Sequence, residues 1–287
     1  MPDDQSLYRP ATPLMEAILL EDEQESLRWV KELLESGEDP NKFDRIAVSN
    51  PLFAAWIYDR IQLMQTLIDA GADGKCVADL PFDLSWEFTD RTIQSTLLLI
   101  RSGFTLDSLY RQTEIGESIC TGDNLLTFLL DDHKYEYIDA LKPHGILKFI
   151  HIYNCTGDSP LGEMARDGHL EHAKWLIRNG ADVNAHCEGL IGWTALDRAI
   201  ENTDVEMTRF LLGVGSNPNI PTWMWISAAD RAVNYESDFK FRRNESRVIP
   251  DAVRIREMVL QASKKFPPPT YPDGSKPKIW PPEPRTK

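Results

Sequence analysis

Apolar residues recur along this chain in short bursts at helical spacing. The clearest burst is Leu170, Ala173, Trp175, Leu176 and Ile177, which gives one apolar face to a helix that opens near Leu170. Gly180 ends that helix, at a position where left-handed backbone suits glycine. A shorter helix precedes it: Ser159 can cap its start, and Pro160 fits the first position, where no donor is lost. The same pattern returns 35 residues later, bringing Ser159 to Ala185 onto Thr194 to Ile220. Leu161 then falls on Leu196, Glu171 on Glu206, Leu176 on Leu211, Gly180 on Gly215 and Asn184 on Asn219. Two short helices cannot bury their apolar stripes alone, so neighbouring copies must stack. The pattern predicts an all-α helical solenoid.

The segment resembles the ankyrin repeat. That family opens a first helix with T-P-L-H-x-A, a second with G-H-x-E, and closes with L-L-x-x-G-A-D-x-N. Ser159-Pro160-Leu161, Gly168-His169-Leu170-Glu171 and Leu176-Ile177-Arg178-Asn179-Gly180-Ala181-Asp182-Val183-Asn184 match it, with Gly162 where the family's first histidine would stand. Looser copies lie upstream. Thr12-Pro13-Leu14 opens one that closes near Gly37 and Asn41, and Asn50-Pro51-Leu52 opens another ending at Gly71-Ala72-Asp73. Degenerate copies end at Gly103 and Gly145. The marker glycines 37, 71, 103, 145, 180 and 215 are thus spaced 34, 32, 42, 35 and 35 apart.

This gives about six irregular repeats over residues 10–220, after an N-terminal extension, 1–9. Long connections are expected at 74–83, 104–123 and 146–157. Residues 221–263 read as a C-terminal capping unit: a first helix over Thr222 to Ala229, a polar insertion from Tyr235 to Arg247, and a last helix over Asp251 to Leu260. Residues 264–287 hold 8 of the chain's 19 prolines, with six Lys/Arg against two Asp/Glu, and form a basic tail without regular helix or strand.

Charge narrows the function. Of the 287 residues 45 are acidic and 31 basic, a formal net charge of −14, which argues against nucleic acid or an anionic membrane as partner. The acidic, polar N-terminus lacks the regions of a signal peptide, and no apolar run reaches the ~18 residues of a membrane span. The four cysteines lie 44, 35 and 32 residues apart with no C-x-x-C pair, as in a reducing cytoplasm.

No phosphate-binding glycine loop, no G-x-S-x-G and no H-E-x-x-H occurs. His169 and His172 are three apart, but His169 fills the family's G-H-x-E histidine, which the resemblance makes structural. The reading therefore assigns no catalytic residue, metal or cofactor. Acidic and aromatic positions instead recur where first helices end: Phe128 with Asp131 and Asp132, Glu163 with Asp167, and Arg198 with Glu201 and Asn202. Trp193 sits at the intervening hairpin tip. The resemblance implies that these stretches line a concave protein-binding groove, acidic and interrupted by aromatics.

The expected function is non-enzymatic binding of a basic protein, as an inhibitor or immunity protein that neutralises a toxin or enzyme. A scaffold, adaptor or host-directed effector would use the proline-rich tail as a second docking point. An unrecognised enzyme would need a site around His186, Cys187 and Trp193.

Overall fold

The computed structural model describes residues 12–78, 91–109, 112–115, 118–121, 124–154, 156–187, 192–234 and 250–269. It divides into two compact units, one of residues 1–111 and 132–146, the other of residues 112–131 and 147–287.

The first unit contains α1 (Pro13–Ile18), α2 (Glu23–Glu35), α3 (Pro51–Ile57), α4 (Ile61–Asp69), the short α5 (Lys75–Ala78) and α6 (Ile93–Arg101). The second unit contains the hairpin β1 (Gln112–Ile115) and β2 (Ser118–Thr121), then α7 (Leu125–Asp131). Helix α8 (Tyr135–Leu141) belongs to the first unit again. The second unit continues with α9 (Pro160–Asp167), α10 (Leu170–Arg178), α11 (Ala195–Glu201), α12 (Val205–Gly213), helical residues 228–234 and α13 (Pro250–Ser263).

Each unit stacks antiparallel helix pairs of the kind the sequence predicts. In the first, α1 packs on α2 and α3 on α4, and the pairs meet through α1 with α3 and α2 with α4. In the second, α9 packs on α10 and α11 on α12, and α9 meets α11. The fold class is the all-α ankyrin type, with one two-stranded hairpin among the described residues.

Local chemistry starts and stops these helices. Ser159 accepts from Gly162 N at 3.2 Å, Asn50 from Phe53 N at 2.9 Å, and Thr194 forms a full capping box with Asp197. All six marker glycines have φ between 92° and 112°, the left-handed region that only glycine enters freely. At the corner between first and second helices the backbone is also left-handed. Gly168 serves there in one copy, but Asp59, His133 and Thr203 do so in others at φ 55°, 56° and 58°. A branched threonine in this region is strained.

Asparagines knit the copies edge to edge. Asn41 Nδ2 donates to Gly71 O at 2.9 Å and its Oδ1 accepts from Asp73 N at 2.8 Å. Asn184 Oδ1 accepts from Asn217 N at 2.7 Å. Asn219 Nδ2 meets the carbonyl oxygens of Ser263, Phe266 and Pro267 at 3.0, 3.3 and 2.9 Å.

Three expectations need correction. The connection expected over 146–157 is partly a 3-10 helix, Ile146–His151, that buries Ile146, Phe149 and Ile150. Tertiary burial, not local propensity, orders it. The loop expected over 104–123 contains the β1–β2 hairpin and a 3-10 turn, Leu106–Leu109. The helix expected over Thr222 to Ala229 is interrupted: Met224 and Trp225 take φ of 57° and 60°, and α-helix starts only at residue 228. The N-terminal extension, the insertion over 235–247 and the tail beyond residue 269 lie outside the described residues. Helix α13 ends at Ser263, and residues 264–269 are turn and irregular backbone.

Candidate functional site

Four of the acidic and aromatic positions read from the sequence come together in the second unit. A recess of about 180 Å³ lies between α7 and α9, lined by Asn124, Thr127, Phe128 and Asp131 on one side and Glu163, Met164, Arg166 and Asp167 on the other. Phe128 is half-buried, so its ring forms a wall, while Asp131 and Asp167 are exposed at its rim. Asp131 Oδ1 lies 3.8 Å from His169 Nε2.

Glu163 is the deepest carboxylate of the recess. Its side chain is largely buried and accepts from Asn154 Nδ2 and from Thr127. Burial pushes its carboxyl up to about 6, against the opposing hydrogen bonds from Asn154 and the Arg166 charge. Glu163 thus titrates near neutrality. The sign for stability follows directly. The folded state holds the proton more tightly than the unfolded chain, so folding is favoured below the ordinary value of 4.5 and weakened as pH rises through about 6. Glu163→Gln keeps an acceptor for Asn154 and removes the charge. It should be more stable than the parent by about 2 kcal/mol at pH 7, an advantage that closes towards pH 4.5. Urea unfolding at pH 4.5, 6 and 7.5 measures this, and a constant difference across that range would contradict it.

The remaining positions fall into a different arrangement. Arg198 binds Asp158 through both Nε and Nη2, each at 2.8 Å, and also reaches Glu201 at 3.1 Å. Its guanidinium stacks over Trp193 with 4.3 Å to the ring centroid. Arg231 covers the same ring at 3.9 Å and pairs with buried Asp197 at 3.0 Å. Trp193 is therefore held between two guanidinium groups, which favours a role in joining copies. Asn202 Nδ2 donates to Arg166 O, tying the ends of α11 and α9. Glu201 and Asn202 are exposed. Asp132 belongs to the first unit, where it is exposed and lies 3.7 Å from Lys134.

Sequence reasoning missed Asp158, Asn154 and Arg166. Asp158 is fully buried and takes Arg166 Nη1 at 3.3 Å in addition to Arg198. Arg166 in turn forks onto Asp167 at 2.9 and 3.1 Å, so a cation is fixed beside the acidic rim. Asp158 falls on Trp193 in the 35-residue register, the one available signal that both tip positions serve Arg198.

His186 Nδ1 lies 3.0 Å from Asn184 O, and Cys187 is half-buried. Among the described residues, no group of three or more His, Cys, Asp or Glu is placed to hold a metal ion. No described helix is long and apolar enough to cross a membrane.

Stacked helix pairs with a partly acidic recess at the first-helix ends define an α-helical repeat protein. A family model described as ankyrin repeats (3 copies) matches residues 110–222. The fold is similar to that of the ankyrin repeat domain of Bcl-3, at 19% identity over 85% of this chain and 98% of that one, with a TM-score of 0.58. Residues 110–222 of the chain are thus ankyrin repeats.

Two curated proteins are similar over shorter segments. The mitochondrial disaggregase of Bos taurus is 28% identical over 124 residues, covering 39% of this chain and 18% of that protein. The Homo sapiens mitochondrial disaggregase is 35% identical over 74 residues, covering 25% of this chain and 10% of that protein. The match thus spans under a fifth of either relative.

Proposed function

We propose that this protein is a non-enzymatic binding module that grips a basic partner protein, a toxin or enzyme that it neutralises, through the first-helix ends of the second unit. The observation that carries this reading is the recess between α7 and α9. It combines an aromatic wall, Phe128, with three carboxylates, Asp131, Glu163 and Asp167, against one lining cation, Arg166, and this excess of negative charge suits the aliphatic stem and cationic head of a lysine or arginine. Exposed Glu201 and Asn202 extend the rim. Support also comes from the net charge of −14, which steers basic proteins towards the chain. A cytoplasmic setting is part of the proposal and rests on the wide cysteine spacing.

Association and dissociation rates against the purified basic partner test it. Asp131→Lys/Asp167→Lys should slow association about tenfold or more at low salt and flatten its salt dependence, since rim charges act on encounter. Phe128→Ala should instead speed dissociation. If both variants bind like the parent over the whole salt range, the recess is not the contact surface.

A further inference from the structure

The second unit repeats one position at each junction between copies, and the recess falls where that position changes sign. Ser159, Thr194 and Ser227 each accept a backbone N–H from three residues on at 3.2 Å, so they are equivalent helix caps. Four residues after them stand Glu163, Arg198 and Arg231. Both arginines reach back to a buried aspartate of the preceding copy, Arg198 to Asp158 at 2.8 Å and Arg231 to Asp197 at 3.0 Å. Both also lie over the Trp193 ring. The chain thus holds a guanidinium between copies with two parts, an aromatic face and a buried carboxylate.

Between α7 and α9 the same two parts are present, but the position carries an acid. Phe128 supplies the aromatic wall and Glu163, largely buried, the carboxylate. Glu163 reaches back to Thr127, which stands three residues past the cap Asn124 as Asp197 stands past Thr194. The lining cation, Arg166, is bonded to Asp158 at 3.3 Å and forked onto Asp167 at 2.9 and 3.1 Å. The place that an arginine fills at the next two junctions is here a recess of about 180 Å³.

We infer that this recess is a guanidinium site that takes an arginine of the partner protein in preference to a lysine. The inference rests on the reading of the recess as the contact surface. A guanidinium is planar, so it lies on an aromatic ring while forking onto a carboxylate, as Arg198 does on Trp193 and Asp158. An ammonium has neither geometry and holds its water more strongly, a cost that a largely buried carboxylate does not repay.

Glu163 accepts that fork only when ionised, and burial pushes its carboxyl up to about 6. Arginine therefore displaces a proton, and its affinity climbs as pH rises through that value. The charged groups facing Glu163 are Asp131 from α7, Asp158 from the loop before α9, and Arg166 and Asp167 from α9 itself. Arg198 of α11 lies behind Asp158, and His169, just before α10, lies beside Asp131. His169, as a histidine, is the control for pH effects.

The probes are acetylated, amidated Gly-Gly-Arg-Gly-Gly and its lysine and citrulline counterparts, titrated into the full chain and followed by two-dimensional NMR of backbone amides. The arginine peptide should shift amides of α7 and α9 and bind about tenfold or more tighter than the lysine peptide. It should bind about tenfold tighter at pH 7.5 than at pH 5. The neutral citrulline peptide should not bind. Glu163→Gln should flatten the pH profile and weaken arginine binding at pH 7.5 about tenfold, whereas His169→Gln should keep the profile. Phe128→Leu keeps an apolar wall without a ring face, so it should narrow the gap between arginine and lysine. Glu171→Gln removes an exposed charge from α10 and should bind like the parent. Equal binding of arginine and lysine, a pH profile that survives Glu163→Gln, or Glu171→Gln acting like Glu163→Gln would overturn the inference. None of these measurements uses the basic partner. If the peptides fail to discriminate while Asp131→Lys/Asp167→Lys still slows association with that partner, this inference falls and the proposed function stands. Unchanged partner kinetics with intact arginine selectivity would remove the proposed function and leave the guanidinium site.

Discussion

Alanine in place of Asp158 should lower the free energy of unfolding by about 3–5 kcal/mol, the range for breaking a buried ion pair from one side. The carboxylate has no exposed surface and receives two bonds from Arg198 at 2.8 Å, one from Arg166 at 3.3 Å and one from Thr156 Oγ1 at 3.1 Å. Alanine would strand Arg198, whose side chain is only 14% exposed, against the face of Trp193. Glu201 is exposed and cannot replace the loss. Much of the cost is therefore the desolvated guanidinium, and a second change should recover it: Asp158→Ala/Arg198→Met should be more stable than Asp158→Ala alone. Urea unfolding of the two variants followed by far-ultraviolet circular dichroism measures both effects. A single-variant loss below about 1 kcal/mol, the range of exposed pairs, would mean that solvent screens this network.

Trp56→Ala should cost a similar amount, about 3–5 kcal/mol, for a different reason. Trp56 lies in α3 with no exposed surface, 5.8 Å ring to ring from Phe53. Its Nε1 donates to Thr96 Oγ1 at 3.4 Å, and Thr96 also bonds the Tyr137 hydroxyl. Truncation removes the largest buried side chain of the first unit and opens a cavity that three packed helices cannot close. Trp56→Phe keeps most of the volume and loses the Nε1 bond, so it should cost less. Equal losses for the two variants would place the energy in the hydrogen bond, and no loss would show that α3 does not pack as described.

Much of this architecture is legible in the sequence because it is local. The second-helix stripe around Trp175 and Leu176, the caps at Ser159 and Thr194 and the closing glycines all act within a few residues, where periodicity and propensity report directly. The parts that were not legible are set over long separations. Arg198 meets Asp158 across 40 positions, and nothing near either residue announces the other. The 3-10 segment Ile146–His151 and the interrupted turn at Met224 depend on what packs against them. The site divides in the same way. Phe128, Asp131, Glu163 and Asp167 follow from the repeat register, whereas the pairing of Arg198 and Trp193 into the scaffold follows from tertiary contacts alone.

The asparagine at the end of the second unit bears on how such a chain can grow. Within the unit, Asn184 reaches forward to the backbone of the next copy, so an additional copy of 35 residues inserted there would find and offer the same handhold. Asn219 instead turns its Nδ2 onto the carbonyl oxygens of Ser263, Phe266 and Pro267. A copy appended after Asn219 would have to evict the end of α13 before it could attach. Gene duplication can thus lengthen this unit from within, while its C-terminal end is closed to further copies.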